Sequence, residues 1–174
     1  MTTSQCFENP PSLSSECGDG CVQELGGLKT YITGPHDSKL AILLISDVFG
    51  YDAPNLRIKG MKMQRMVVVK LARSDDIQAA VLLHPGPITV DEINEVKTPI
   101  SILGAEIDRA SPPEKLKQFG EILSGKSEVD CFVKIFPGVS HGWTVRYSLE
   151  DESAVKSAEE AHGDMLNWFT KCVK

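Results

Sequence analysis

No apolar run in the 174-residue sequence is long enough to cross a bilayer; the longest, around residues 40–45, reads as a buried strand. There is no basic stripe either. The formal net charge is −6 and the isoelectric point is near 5.2, which argues against a nucleic-acid binder and mainly favours solubility. Residues 1–16 lack a basic stretch followed by an apolar one, so no secretory signal is expected and the cytoplasm is the expected location. The five cysteines, Cys6, Cys17, Cys21, Cys131 and Cys172, are an odd number and do not suggest a disulfide framework. Cys17 and Cys21 could begin a metal site, but no histidine stands at zinc-finger spacing. Reduced structural thiols are the favoured reading and no metal is expected. Internal repeats and low-complexity tracts are also missing.

What is present looks globular. The apolar fraction is 41% and the charged fraction 24%, in a length that suits one domain with a sizeable core. Residues 1–26, rich in Ser, Pro, Gly, Asn and Cys, read as an extended, loop-like leader to a domain over 27–174. Alternating or continuous apolar runs predict strands over 28–33, 39–47, 77–83, 99–103 and 129–136, the last broken by Pro137-Gly138. Helices are expected around 67–72, over 91–95, over 111–124 and over 152–173. Ser111 would cap the third, with Glu114 completing a capping box. Ala158, Ala161, Met165, Trp168 and Phe169 have core spacing along the fourth. Strands alternating with helices predict a mostly parallel α/β sheet covered on both faces. In such sheets chemistry sits on loops at the carboxyl ends of strands, here 46–52, 104–110 and 139–147.

Two of these loops carry an Asp and a His. Asp108 follows the strand 99–103, and His141 follows the strand 129–136. Residues on successive strand ends can meet across the sheet, where Asp would orient the imidazole and stabilise its protonated form. Asp before His is also the chain order of the last two triad members in α/β-hydrolases. Order and placement favour this pairing over two unrelated loop residues. Asp47 ends a buried strand, and on sequence alone a cap or turn role is favoured. Arg146 either grips a carboxylate through a bidentate contact or is merely solvated. Trp143 either walls a pocket or packs the loop. His84, before Pro85, either lines the cleft or is a satisfied structural histidine, the second being favoured; His36 and His162 read as exposed.

A nucleophile is missing from this set. Acyl-transfer enzymes of this architecture place it on a Gly-x-Ser-x-Gly elbow, or a Cys variant, before the helix that follows. The stretch Gly60-Met61-Lys62-Met63-Gln64-Arg65-Met66 has no Ser, no Cys and no second Gly. Ser140 adjoins His141, Cys131 opens a strand at the opposite end of the sheet, and Ser46 has no elbow.

Four blocks, Leu43-Leu44-Ile45-Ser46-Asp47-Val48-Phe49-Gly50, Ala80-Val81-Leu82-Leu83-His84-Pro85, Ile102-Leu103-Gly104-Ala105-Glu106-Ile107-Asp108 and Phe136-Pro137-Gly138-Val139-Ser140-His141-Gly142-Trp143, together resemble the dienelactone hydrolase family. They are most similar to its plant branch, some members of which carry the name endo-1,3;1,4-β-D-glucanase. The resemblance implies a three-layer α/β-hydrolase fold with a mostly parallel sheet. It also implies a Cys–Asp–His triad that cleaves small-molecule esters or lactones without a cofactor. Asp108 then matches the acid and His141 the base. Asp47 matches a position where bacterial members keep a Glu near the thiol. Arg146 stands one residue from a substrate-binding arginine of the family, and Trp143 lies beside the base.

The sequence departs from the family pattern between Asn55-Leu56-Arg57 and the block starting at Val67. Family members carry a helix, two central strands and a Gly-x-Cys-x-Gly elbow there; here residues 58–66 bridge the gap. The expectation is a domain that keeps acid and base, lacks central strands and nucleophile, and exposes sheet edges through which it could self-associate. A non-catalytic, shortened product or interaction module is the alternative. A glucan hydrolase is another, and would need two carboxylates ~5–9.5 Å apart flanking the bond. Asp47, Glu106 and Asp108 could supply them, but His141 needs Asp108, which favours ester chemistry.

Overall fold

The structure, a computed structural model, describes residues 20–25, 27–35, 37 and 65–174. The strand expected over 39–47, with Asp47, and the bridging stretch 58–64 lie outside the described residues, as do His36, Cys6 and Cys17. Strands β1 (Cys21–Leu25) and β2 (Leu28–Ile32) form an antiparallel hairpin. Gly27 turns it at φ 80°, a backbone conformation that costs glycine little. Thus β1 is a paired strand within the stretch expected to be loop-like.

The remaining order is α1 (Arg65–Leu71), β3 (Ala80–Leu83), α2 (Val90–Asn94), β4 (Ile100–Ile107), α3 (Pro113–Ser124), β5 (Cys131–Ser140) and α4 (Glu152–Cys172). Strands β3, β4 and β5 are parallel neighbours in that order. Parallel strands need long crossovers, which α2 and α3 supply here.

The two-residue period of the strands splits the apolar residues between two faces. Ala80, Leu82, Ile100 and Ile102 pack with Val68 and Val69 of α1, Ala72 just after it, Ile93 of α2, and Leu116, Phe119 and Leu123 of α3. Val81, Leu83, Leu103, Ala105 and Phe136 pack with Ala161, Met165 and Trp168 of α4. The result is three layers, helices on both sides of a sheet. It explains why Ala80-Val81-Leu82-Leu83 is an unbroken apolar run: all four residues are buried, two on each side. Gly104 marks the closest approach of α3, because a Cβ there would overlap the Leu116 side chain. None of the described helices is long and apolar enough to cross a membrane.

Four local expectations need correction. Strand β3 starts at Ala80 rather than 77, and β4 continues to Ile107 through what reads as a loop from 104. Strand β5 runs past Pro137-Gly138 to Ser140. Ala105 pairs with Phe136 and Ile107 with Ser140, so residues 137–139 bulge opposite Glu106. Proline lacks the ladder donor, and the bulge takes it out of the ladder. Gly138, at φ 70°, turns its N–H to the Glu106 carboxylate at 2.7 Å. Finally, Ser111 does not cap α3. The cap position is Pro112, and the Ser111 hydroxyl instead donates to the Gly86 carbonyl at 2.7 Å. A capping box does form at α2, between Thr89 and Glu92.

Candidate active site

The bulge in β5 and the carboxyl end of β4 bring Asp108 and His141 together. The His141 N–H donates to the Ile107 carbonyl at 3.2 Å, which fixes His141 beside the residue preceding Asp108. Asp108 Oδ2 then lies 2.7 Å from His141 Nδ1. The Asp108 side chain is fully buried and its other oxygen is also engaged. Oδ1 accepts the N–H groups of Ala110 at 2.8 Å and Ser111 at 3.2 Å. These backbone donors hold the carboxylate in place without help from a flexible side chain. An ionised carboxylate only accepts, so the proton of the contact belongs to His141 Nδ1. Nε2 then carries the lone pair, the arrangement a general base requires.

The structure settles the readings left open for Arg146 and Trp143 and corrects that of His162. Arg146 is buried rather than solvated. Its guanidinium lies against Gly142, where a Cβ would come within 2.6 Å of Cζ. Gly142 has φ 90°, so this glycine serves both the turn and the close approach. Trp143 is buried and packs the loop, with its ring 5.6 Å from that of His84 and 5.2 Å from that of Phe136. His162 is buried rather than exposed, and its Nε2 lies 3.0 Å from the Thr144 carbonyl.

His84 is a buried, hydrogen-bonded histidine, as the favoured reading has it, and it also stands beside His141. It ends β3 at the same sheet edge, 4% exposed, with its ring 5.1 Å from that of His141 in an edge arrangement. Its φ of 36° is left-handed, which costs a non-glycine residue on the order of 1–3 kcal/mol. Such a residue persists only where its surroundings hold it. A lone His before Pro gives no sequence signal of this, because the partners lie tens of residues away.

Cys21, Cys131 and Cys172 are free thiols, and Cys131 opens β5 at the end of the sheet away from His141. Burial pushes the Cys172 thiol up, away from the thiolate form. Among the described residues no group of three or more His, Cys, Asp or Glu could hold a metal ion.

A parallel sheet between two helical layers, with a buried Asp on one strand end and a His on the next, is consistent with an α/β-hydrolase fold. The family model described as dienelactone hydrolase family matches residues 56–173, and the chain belongs to that family. It is 28% identical to a maize (Zea mays) protein named endo-1,3;1,4-beta-D-glucanase, over 193 aligned positions that take in 72% of this chain and 64% of that one. It is 32% identical to a carboxymethylenebutenolidase homolog of Xenopus tropicalis over 85 residues, covering 48% of this chain and 35% of the relative. Among solved structures, a putative dienelactone hydrolase from Klebsiella pneumoniae matches with a TM-score of 0.50 and 17% identity, covering 60% of this chain and 47% of that one. The chain therefore spans less than two thirds of the length of these relatives.

Proposed function

We propose that this chain derives from an ester- or lactone-cleaving hydrolase with a Cys–Asp–His triad, of which it keeps the acid, Asp108, and the base, His141, but not the nucleophile segment. The observation that carries this reading is the 2.7 Å contact between the buried Asp108 carboxylate and His141 Nδ1, with the second carboxylate oxygen anchored on two backbone amides. In the complete triad, His141 Nε2 would take the thiol proton and later return it to the leaving group. Asp108 would stabilise the imidazolium formed in between.

The maize alignment supports the missing segment. Of its 193 positions, 72% of 174 residues, about 125, are occupied by this chain, which leaves about 68 without a counterpart. Gathered between residues 57 and 67, that many positions would accommodate a helix, two strands and an elbow. Its absence removes the thiol, and with it the oxyanion-hole donor that an elbow supplies from the residue after the nucleophile. The substrate class is a small-molecule ester or lactone, bound without a cofactor. In this reading Asp47 belongs to the substrate cleft, Arg146 and Trp143 shape the turn that carries the base, the protein is cytoplasmic, and the edges left by the missing strands favour self-association.

Hydrolysis of an activated nitrophenyl ester tests the reading in two arms. The chain as it stands should give no burst and no turnover. A chain with the segment restored from the genomic sequence should turn over and lose that activity on His141→Ala. Turnover by the present chain that disappears in His141→Ala overturns the missing nucleophile; an inert restored chain overturns the triad.

The maize relative's name raises glucan hydrolysis as a second reading. It requires two carboxylates facing the bond. Glu106 instead accepts the Gly138 amide, and both Asp108 oxygens are occupied, which favours ester chemistry. Release of reducing ends from a mixed-linkage β-glucan by the restored chain would reverse that preference.

A further inference from the structure

Thr144 stands three residues past His141 and is fully buried. Its hydroxyl lies 2.9 Å from His84 Nε2, and its carbonyl lies 3.0 Å from His162 Nε2. The three residues come from three parts of the fold: the end of β3, the turn after β5, and α4. The turn is itself tightly wound. Trp143 N–H donates to Ser140, and the N–H groups of Val145 and Arg146 both donate to the Gly142 carbonyl, at 3.1, 3.1 and 2.9 Å. Moving Thr144 therefore moves the segment that begins at His141.

Simple packing could hold a turn of this kind with apolar side chains. Here two imidazoles and a hydroxyl are buried at the same point, a costly choice unless each is satisfied by a directed bond. Directed bonds select an orientation where apolar contacts select only a volume. His162 must donate to a carbonyl, so its Nε2 carries the proton and its tautomer is set. His84 bonds Thr144 while presenting its ring edgewise to both His141 and Trp143, from a left-handed backbone conformation.

We propose that His84, Thr144 and His162 form a clamp that positions the His141 imidazole for its contact with Asp108. They are positioning residues, acting through the turn 141–146. The inference rests on the reading of His141 and Asp108 as base and acid.

The test uses the full chain, ¹⁵N-labelled, and reads the ring nitrogens and the low-field Nδ1 proton of His141 by NMR. Thr144→Val keeps the shape and loses the hydroxyl; Thr144→Ser keeps the hydroxyl. The wild type and Thr144→Ser should show His141 in the Nδ1–H tautomer with a protected low-field proton. Thr144→Val should lose that proton to exchange and mix the tautomers, with the denaturation transition still cooperative. His84→Asn is the second variant, because Asn tolerates a left-handed backbone while removing the imidazole. It should give the same loss, and it serves if Thr144→Val does not fold. An unchanged His141 signal in Thr144→Val or in His84→Asn overturns the clamp alone. A low-field proton that is missing from the wild type, or that survives Asp108→Asn, overturns the acid–base pair and the clamp together.

Discussion

Glu106 reaches across the shift in the β4–β5 ladder to accept the Gly138 N–H at 2.7 Å. The bond spans the point where residues 137–139 bulge opposite a single residue, and His141 follows directly. Glu106→Ala should leave that amide without its acceptor at an exposed site, lowering stability by about 0.5–1.5 kcal/mol. Amide hydrogen exchange at Gly138 should accelerate, and Glu106→Gln should restore most of its protection. Unchanged exchange in Glu106→Ala would show that the bulge holds without the carboxylate.

Gly104 should be intolerant of any side chain, because Leu116 of α3 occupies the space of its Cβ. Gly104→Ala should destabilise by about 1–3 kcal/mol through overpacking, measured by urea denaturation. Combining it with Leu116→Ala should cost less than the sum of the two single changes, since the smaller residue makes the room the methyl needs. Strict additivity would argue that the strand and helix do not meet at this point.

Gly142 faces two constraints. At φ 90° a Cβ is strained, and the Arg146 guanidinium lies where it would go. Gly142→Ala should therefore cost more than the ~1 kcal/mol that left-handed strain costs by itself. Arg146→Ala should cost less in that background than in the parent, because it vacates the space the methyl needs. Thermal denaturation of the two single variants and the double variant checks this.

Lys134 of β5 sits 2.8 Å from Glu160 and 2.6 Å from Asp164, tying the strand to α4. Burial works to lower the Lys134 pKa, but hydrogen bonds and charge from the two carboxylates more than offset it and raise it. Lys134 in turn lowers the Glu160 pKa. The Glu160 part of the tie is thus present above the ordinary carboxylate range and is lost as pH falls through the lowered value. The Lys134 part is present below the ordinary ammonium range and is lost as pH rises past the raised value. Lys134→Met should melt below the wild type at neutral pH. The gap should narrow in acid below about pH 4 and in alkali above about pH 10.5. A gap that stays constant from acid to alkali would mean that packing, not charge, separates the two proteins.

The three-layer order is legible in the sequence because it follows from local periodicities. Ala80-Val81-Leu82-Leu83 is apolar throughout because both its faces are covered, and α4 shows its buried stripe of Ala158, Ala161, Met165 and Trp168 at helical spacing. The juxtaposition of Asp108 and His141 is legible in part: parallel strands place their carboxyl ends at one edge, so residues that follow successive strands can meet, and the pairing of β4 with β5 brings these two together. Local reasoning misleads where a longer-range partner competes. Pro137-Gly138 reads as the end of a strand, but Glu106 and Ile107 carry the pairing past it. Ser111 with Glu114 has a capping pattern, but the Ser111 hydroxyl is closer to the carbonyl of Gly86, twenty-five residues away.

By itself, then, the sequence determined the alternation of strands and helices and the strand ends to which Asp108 and His141 belong. These depend on patterns within a few residues or on chain order. Only the tertiary structure decided that Arg146 and His162 are buried, that His84 stands beside His141 in a left-handed conformation, and that Thr144 is held from two sides. Those facts depend on which segments the sheet and α4 press together. A hydrogen bond between residues sixty positions apart leaves no trace in the spacing of either one.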